Sequence, residues 1–424
     1  MKPRYRWYVA LVFFLFLLLH QADKLLIGPL TSSIMEDFEI NEAQMGAVSS
    51  LAIVVASVLY PLWGYLYDRF DRSKLLALAS AIWGSTTWLN ALAPTFGLFM
   101  VTRSTTGIDD SSYPGLYSLL ADYFAPRLRG KVYGLMQISG PLGFAVGTVL
   151  ATTLGKTLGW RGVFYITGSL GIVVAALIYF TVRERQRGSA EPELQEVAEL
   201  SVYRIDREAV RSLLRNRTLL LLMAQGFFGV FAWNVLIFWF FRYLEVERGF
   251  TPGQTLVTML IAIAALSAGY FVGGTLSDLA FDRTPRGRAI VGGSGALLAA
   301  ALLYATMSVP VGNRVLFTAM LTVAGLALST TAPNAMATVP DITLPEARST
   351  AQAVRKLVED GGAALAPWLA GIIAVRASLH TAIVTVSVST LAVCALIFGI
   401  IGYFVPHDVA ALREAMAARA RKEA

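Results

Sequence analysis

Apolar runs close to 20 residues long, separated by short polar turns, recur along almost the whole chain from Trp7 to Phe404. A helix rises about 1.5 Å per residue, so each run is long enough to cross a hydrocarbon core of about 30 Å. Reading the runs against their polar punctuation predicts twelve spans, near 7–29, 43–66, 75–93, 97–122, 131–152, 162–182, 218–243, 255–280, 288–308, 314–337, 349–374 and 379–404. Twelve helices would take up roughly 240 residues of the 424 and leave short loops, one longer connection and two tails. Composition agrees: 56% of the residues are hydrophobic and 15% charged, whereas a soluble domain is about 45–50% apolar and about 25% charged. A soluble globular chain is thereby excluded. So is a large extramembrane catalytic domain, because the only long polar stretch runs over 183–217. The expected fold class is an all-α polytopic membrane protein.

The formal net charge is +7. On such a protein an excess of Lys and Arg orients the chain and meets anionic head groups, so a lipid bilayer, and no nucleic acid, is the expected partner. A cytoplasmic N-terminus puts about 25 basic residues of the tails and even-numbered turns on one side against about 5 on the other. Among them are Arg69, Arg72 and Lys74, then Arg127, Arg129 and Lys131, then Arg283, Arg286 and Arg288. Both termini are then cytoplasmic, on a multi-pass protein of the cell membrane expected to be a monomer. The first outer loop, with Glu36, Asp37, Glu39 and Glu42, is acidic and fits the opposite side. The basic start and apolar run over 1–19 look like a signal peptide, but no small-residue cleavage site follows, and the segment reads as a retained first helix. Cys394 is the single cysteine, so no intrachain disulfide or cysteine-based metal cluster can form. No phosphate-cradling glycine loop and no clustered His/Cys motif is present, so neither ATP, a metal nor another cofactor is expected.

The stretch 183–217 separates six expected spans from six. It gives a six-helix bundle over 1–182, a cytoplasmic linker over 183–217 ending in a basic helix over 206–217, a second bundle over 218–404, and a basic amphipathic tail over 405–424. An internal repeat supports the division. Pro114, Asp122, Pro126 and Arg129 return as Pro333, Asp341, Pro345 and Arg348, each displaced by 219 residues. Gly64, Leu66 and Asp68 return as Gly274, Leu276 and Asp278, displaced by 210. Parallel repeats of this kind predict a substrate site near mid-membrane, between two duplicated halves and open alternately to each side.

The segment Gly64-Tyr65-Leu66-Tyr67-Asp68-Arg69-Phe70-Asp71-Arg72-Ser73-Lys74 resembles the major facilitator superfamily signature G-x-L-x-D-R-x-G-R-[KR]-x. Asp71 stands for the second glycine, and Lys74 comes one position late. Physically, a glycine lets helices approach, and a carboxylate with basic neighbours can latch helix ends in one conformation. The latch expected on this ground comprises Gly64, Asp68, Arg69, Arg72, Arg129, Asp278 and Arg348; the bland alternative is a solvated positive-inside turn. A finer resemblance covers mainly 15–190. His20-Gln21-Ala22-Asp23-Lys24 is similar to the [NH]-x-x-D-[RK] of Spinster-like transporters and of the anion:cation symporter family. The stretch from Arg103 to Tyr113 resembles the Spinster-like R-x-x-x-G-x-G-E-A-S-Y, with Asp109 in place of the second glycine and Asp110 in place of the glutamate. Gly159-Trp160-Arg161 and Arg183-Glu184 fit the same pattern. Ser139-Gly140-Pro141-Leu142-Gly143, with Gly147, resembles the glycine-proline motif of exporters in the superfamily.

A charge at mid-membrane costs about 2.5–3.5 kcal/mol even on the lenient insertion scale, so it faces the protein interior or water and has a partner. Asp23 and Lys24 fall about two thirds of the way out along the first span; Arg103 lies in the outer half of the fourth, with Asp110 about two turns deeper. Arg103 and Lys24 are expected to alternate between carboxylates and an anionic group on the substrate, with Asp23 or Asp110 carrying a proton; a permanent structural ion pair is the alternative. His20, Tyr113, Trp233 and Asn234 are the further candidates for contacting a substrate. In the eleventh span Arg355, Lys356, Glu359 and Asp360 form two i,i+4 pairs that could neutralise each other locally; otherwise Glu359 and Asp360 are further proton sites.

The function expected is a secondary active transporter, not an enzyme, working by alternating access and coupled to protons. The Spinster-like resemblance implies an amphipathic anionic or zwitterionic lipid-like solute such as a lysophospholipid. The alternatives are a proton- or cation-coupled small organic anion symporter and, in another class, a non-transporting receptor or scaffold on the same fold.

Overall fold

The computed structural model describes residues 3–110, 112–124, 126–186, 216–343 and 348–423. Every regular element among them is a helix, and they divide into two compact units, within Met1–Val202 and Tyr203–Ala424. The first unit contains α1 (Pro3–Leu25), α2 (Ile27–Phe38), α3 (Glu42–Arg69), α4 (Arg72–Leu92), α5 (Phe96–Thr105), α6 (Gly107–Asp110), α7 (Tyr113–Tyr123) and α8 (Pro126–Thr181). The second contains α9 (Arg217–Val246), α10 (Pro252–Arg283), α11 (Gly287–Met307), α12 (Arg314–Ser329), α13 (Thr331–Ile342), α14 (Arg348–Arg376) and α15 (Leu379–Glu423). Most of the expected linker, including its basic helix, lies outside the described residues.

Helix starts are written into the sequence as caps, and the caps repeat. Asn41 and Thr251, 210 residues apart, each close a capping box with a glutamine three positions on, at the heads of α3 and α10. Thr95 and Asn313, 218 apart, accept from the third residue of α5 and α12. Packing repeats as well. In the first unit α1 and α4 pack on α8, and α3 packs on α5; in the second, α9 packs on α14, α11 on α15 and α10 on α12. Each half thus builds the same neighbours from its own duplicated segment. Large apolar side chains such as Phe180, Phe271, Val315 and Tyr403 point outward, exposed by 74% or more, an arrangement that suits lipid rather than water.

Among the described residues ten stretches are long and apolar enough to cross a membrane, against twelve expected. The difference has two physical causes. The expected span over 97–122 is broken into α5, α6 and α7, none long enough alone. The expected spans 131–152 and 162–182 fall on the single element α8, which folds sharply at Gly159 (φ 67°, ψ 172°). That conformation is essentially open to glycine only. Gly159→Ala is therefore expected to cost about 1–3 kcal/mol, read as a lower unfolding temperature in detergent; an unchanged melt would show that the bend is not held in this geometry.

A second break falls inside the first expected span. Pro29 cannot donate to the carbonyl four residues back, and its ring crowds it, so α1 stops at Leu25 and α2 resumes at Ile27. At the far end α15 runs as one helix past Pro406, through the expected tail.

Candidate functional site

The two helix breaks of the first unit meet at the charged residues. Asp23 and Lys24 occupy the last turn of α1, and Asp109 and Asp110 end the one-turn helix α6. A broken helix leaves backbone groups without intrahelical partners, which inside a membrane must be met by side chains or water. Here side chains meet them. Trp63 Nε1 donates to the Ile108 carbonyl at 2.5 Å, and Arg103 Nη2 donates to the Lys24 carbonyl at 3.1 Å. Close helix contact sets the position: Cβ atoms at Gly143 of α8 would come within 2.7 Å of Gln21 and Leu18 on α1. Gly143 and Gly147 of the 139–147 motif thus have a packing use beside the site, whereas a Cβ at Gly140 would meet nothing within 4 Å among the described residues.

Asp23 is 2% exposed and accepts from three neutral donors: Trp83 Nε1 at 3.0 Å, Thr87 Oγ1 at 3.0 Å and Thr167 Oγ1 at 2.5 Å. Among the described residues no cation stands within ion-pair distance of it. Lys24 turns instead to Asp110, with Nζ 2.9 Å from the carboxylate, and keeps 40% of its side chain exposed. Arg103 makes no ion pair with a carboxylate among the described residues. Its guanidinium lies over the Phe164 ring at 5.7 Å and spends one nitrogen on a backbone carbonyl, while Nη1 has no hydrogen-bond partner among the described residues. Three arms of this arrangement, Trp83, Thr87 and Thr167, carry no charge and follow no spacing rule, which is why sequence reasoning missed them.

His20, expected to contact substrate, is 3% exposed and fully engaged. Its Nε2 lies 2.5 Å from Asp109 Oδ2 and 3.7 Å from Asp110 Oδ1, and its Nδ1 hydrogen-bonds the Tyr113 hydroxyl. Asp109, which the sequence marked only as a departure from a motif, is thus the partner of His20. The histidine and the two aspartates converge closely enough to suggest metal ligands. Donor atoms each about 2.0–2.2 Å from a tetrahedral ion would stand more than about 3 Å apart, so the 2.5 Å spacing of Nε2 and Oδ2 is that of a hydrogen bond.

In the second unit the charges of α14 pair locally. Arg355 stands 3.2 Å from Glu359, and Lys356 pairs with Asp360. These are the two i,i+4 pairs expected from the spacing. Asn234 donates back to the Val230 carbonyl of its own helix at 2.8 Å, and Trp233 is half-buried.

Around the residues of the expected latch, the ion pairs centre on Arg72 and Arg288. Arg72, 2% exposed, sits 2.6 Å from Asp122 and 2.8 Å from Glu184, and also donates to Ser118 and to the Arg185 carbonyl. Glu184 in turn accepts from the Ser73 amide at the head of α4. Arg288 makes the matching clasp, 2.7 Å from Asp341 and 2.8 Å from Asp278. The repeated aspartates Asp122 and Asp341 therefore each hold an arginine at the start of the third expected span of their half. Arg69 lies over the Tyr65 ring of its own helix at 4.5 Å. A Cβ at Gly64 or Gly274 would meet nothing within 4 Å among the described residues. The side chains of Asp68, Arg129 and Arg348 lie outside the described residues.

The sequence profile of the Major Facilitator Superfamily matches residues 12–323. The chain belongs to this superfamily. It is a transporter, not an enzyme, and its similarities within the superfamily lie with Spinster-like proteins. It is 27% identical to Protein spinster of Drosophila melanogaster over 398 residues, 89% of this chain and 64% of that protein. It thus spans less than two thirds of that relative's length. The cis,cis-muconate transport protein of Acinetobacter baylyi is 27% identical over 280 residues, 64% of this chain and 66% of that one. Among solved structures, a bacterial homologue of the human lysosomal transporter Spinster, in an inward-facing and unoccupied conformation, superposes with a TM-score of 0.86 at 21% identity, over 96% of this chain and 99% of that one. That likeness is one of fold.

Proposed function

We propose that this major facilitator transporter is a proton-coupled secondary carrier of an amphipathic anionic or zwitterionic lipid-like solute, working by alternating access across the cell membrane with both termini cytoplasmic. The broken α5–α7 segment and the two arms of α8 would complete twelve crossings, six in each of the bundles over 1–182 and 218–404. The observation that carries the reading is Arg103: a buried guanidinium with an unpartnered nitrogen, beside the Lys24–Asp110 pair. An unpaired buried cation is costly unless an anion completes it, and the anionic head of a substrate is such a partner. A substrate anion would also draw Lys24 from Asp110, freeing that carboxylate to take a proton. The lipid-like substrate class follows from the Spinster-like resemblance. Likeness to the muconate transport protein, with the same free arginine nitrogen, supports a second reading, a small organic anion symporter.

Native mass spectrometry of the purified protein identifies any co-purifying solute. Uptake of fluorescent lysophospholipid and of labelled small dicarboxylates into proteoliposomes, with and without a pH gradient, then separates the readings. Gradient-stimulated uptake of the lysolipid, with little competition from dicarboxylates, is the expected outcome; the converse selects the anion symporter. Indifference of both to the gradient would end the proton-coupled reading.

A further inference from the structure

We propose that Tyr113, His20 and Asp109 form a second proton site of this transporter, separate from Asp23 and Asp110. The proposal deepens the proton-coupled reading and rests on it. Three side chains from three elements make it: His20 on α1, Asp109 at the end of α6, and Tyr113, the first residue of α7. His20 is enclosed by the rings of Phe16, Trp83 and Tyr113, with centroids at 5.8, 5.3 and 5.4 Å, so its ring orientation is fixed.

The charged and titratable groups facing this imidazole are Asp109 and Asp110 from α6, Lys24 from α1, and Tyr113 from α7, with Tyr117 and Tyr60 next to Tyr113. Asp23 is held instead by Trp83, Thr87 and Thr167. Counting the cluster as a whole, three carboxylates (Asp23, Asp109, Asp110) face two permanent cations (Lys24, Arg103). The count balances only with one further proton. Inside a membrane an unbalanced charge is disfavoured, and the imidazole is the one group of the cluster that can supply the missing positive charge without losing a carboxylate.

The proton's route follows from the two hydrogen bonds. With a neutral imidazole, Nε2–H donates to Asp109 Oδ2 and Nδ1 accepts from the Tyr113 hydroxyl. An incoming proton from the aqueous side binds Nδ1. The imidazolium then donates from both nitrogens, Tyr113 Oη becomes an acceptor, and the hydroxyl hydrogen must turn to another acceptor. Nothing else is consumed: one proton enters and the cluster moves from one negative charge to zero. Tyr113 is the first residue of α7, so the hydroxyl that must turn belongs to the residue that restarts the helix. At Asp109 the chain carries a carboxylate where the related motif has glycine, so the site belongs to this chain's own residues.

The chain has only three histidines. In a His380→Gln/His407→Gln background His20 is the sole imidazole. Nitrogen-15 histidine spectra of that protein in nanodiscs, titrated between about pH 5 and 8 with no substrate added, read its protonation directly. The expected result is conversion between the neutral and the doubly protonated pattern within that range, with a midpoint displaced by about one pH unit or more in Asp109→Asn. Tyr113→Phe, which preserves the ring and removes only the hydroxyl, is the second variant and is expected to displace the midpoint as well; thermal melts establish that both fold. A single unchanging pattern across the range, or a midpoint that both variants leave in place, would overturn the site. Gradient-independent uptake by the wild-type protein would overturn proton coupling while leaving the imidazole titration intact, so the two fail separately.

Discussion

Asp110→Asn is expected to abolish proton-driven accumulation while leaving downhill exchange of the solute in place. A gradient of two pH units supplies about 2.7 kcal/mol per proton, about a 100-fold accumulation ratio for one coupled proton. In the variant, with no proton coupled to the solute, that ratio should fall to about one. The reason is local. Asp110 is the carboxylate that Lys24 holds at 2.9 Å, and it is released when the ammonium turns to an anion. An amide in its place can still hydrogen-bond but cannot carry the proton across. The fold should survive, because the abandoned ammonium is already 40% exposed and can be rehydrated. Counterflow measured beside gradient-driven uptake separates the two outcomes. A variant that still accumulates solute against its gradient would remove Asp110 from the coupling, and an equal loss of both activities would mean that the residue serves folding or binding instead.

Much of the fold was legible because lipid and duplication both leave long-range marks. Apolar runs, caps and the repeated Pro and Asp residues each follow from a spacing, and the structure returns the same helix pairs in both halves. One break was harder to read: Pro29 interrupts a run that hydropathy alone makes continuous, whereas the fold at Gly159 falls in the gap between the spans expected over 131–152 and 162–182. At the site, the charged residues were visible because charge in an apolar run stands out. Their pairing was not. Lys24 could reach Asp23 or Asp110, and only the turn after Leu25 settles that it takes the latter. Asp23's partners are an indole and two threonine hydroxyls, residue types too common in membrane helices to be singled out. The His20–Asp109 pair joins residues 89 positions apart, and no local pattern links them.

The two arginine clasps make the last expectation quantitative. Arg72 and Arg288 occupy matching places in the repeat, yet their surroundings differ. Arg72 is 2% exposed, with Asp122 at 7% and Glu184 at 28%, whereas one partner of Arg288, Asp278, is 73% exposed. Removing one member of a buried ion network leaves the others charged and unpaired, at about 3–5 kcal/mol, while an exposed pair contributes about 0–1 kcal/mol. Arg72→Ala should therefore lower the unfolding temperature by on the order of 10 °C, and Arg288→Ala by distinctly less. Arg72→Lys keeps the charge but not the planar fork that reaches Asp122, Glu184, Ser118 and the Arg185 carbonyl together. It is expected to fall between the wild type and Arg72→Ala. If the two alanine variants melted alike, burial would not be what distinguishes the clasps, and the stability of the first unit would have to come from its apolar packing alone.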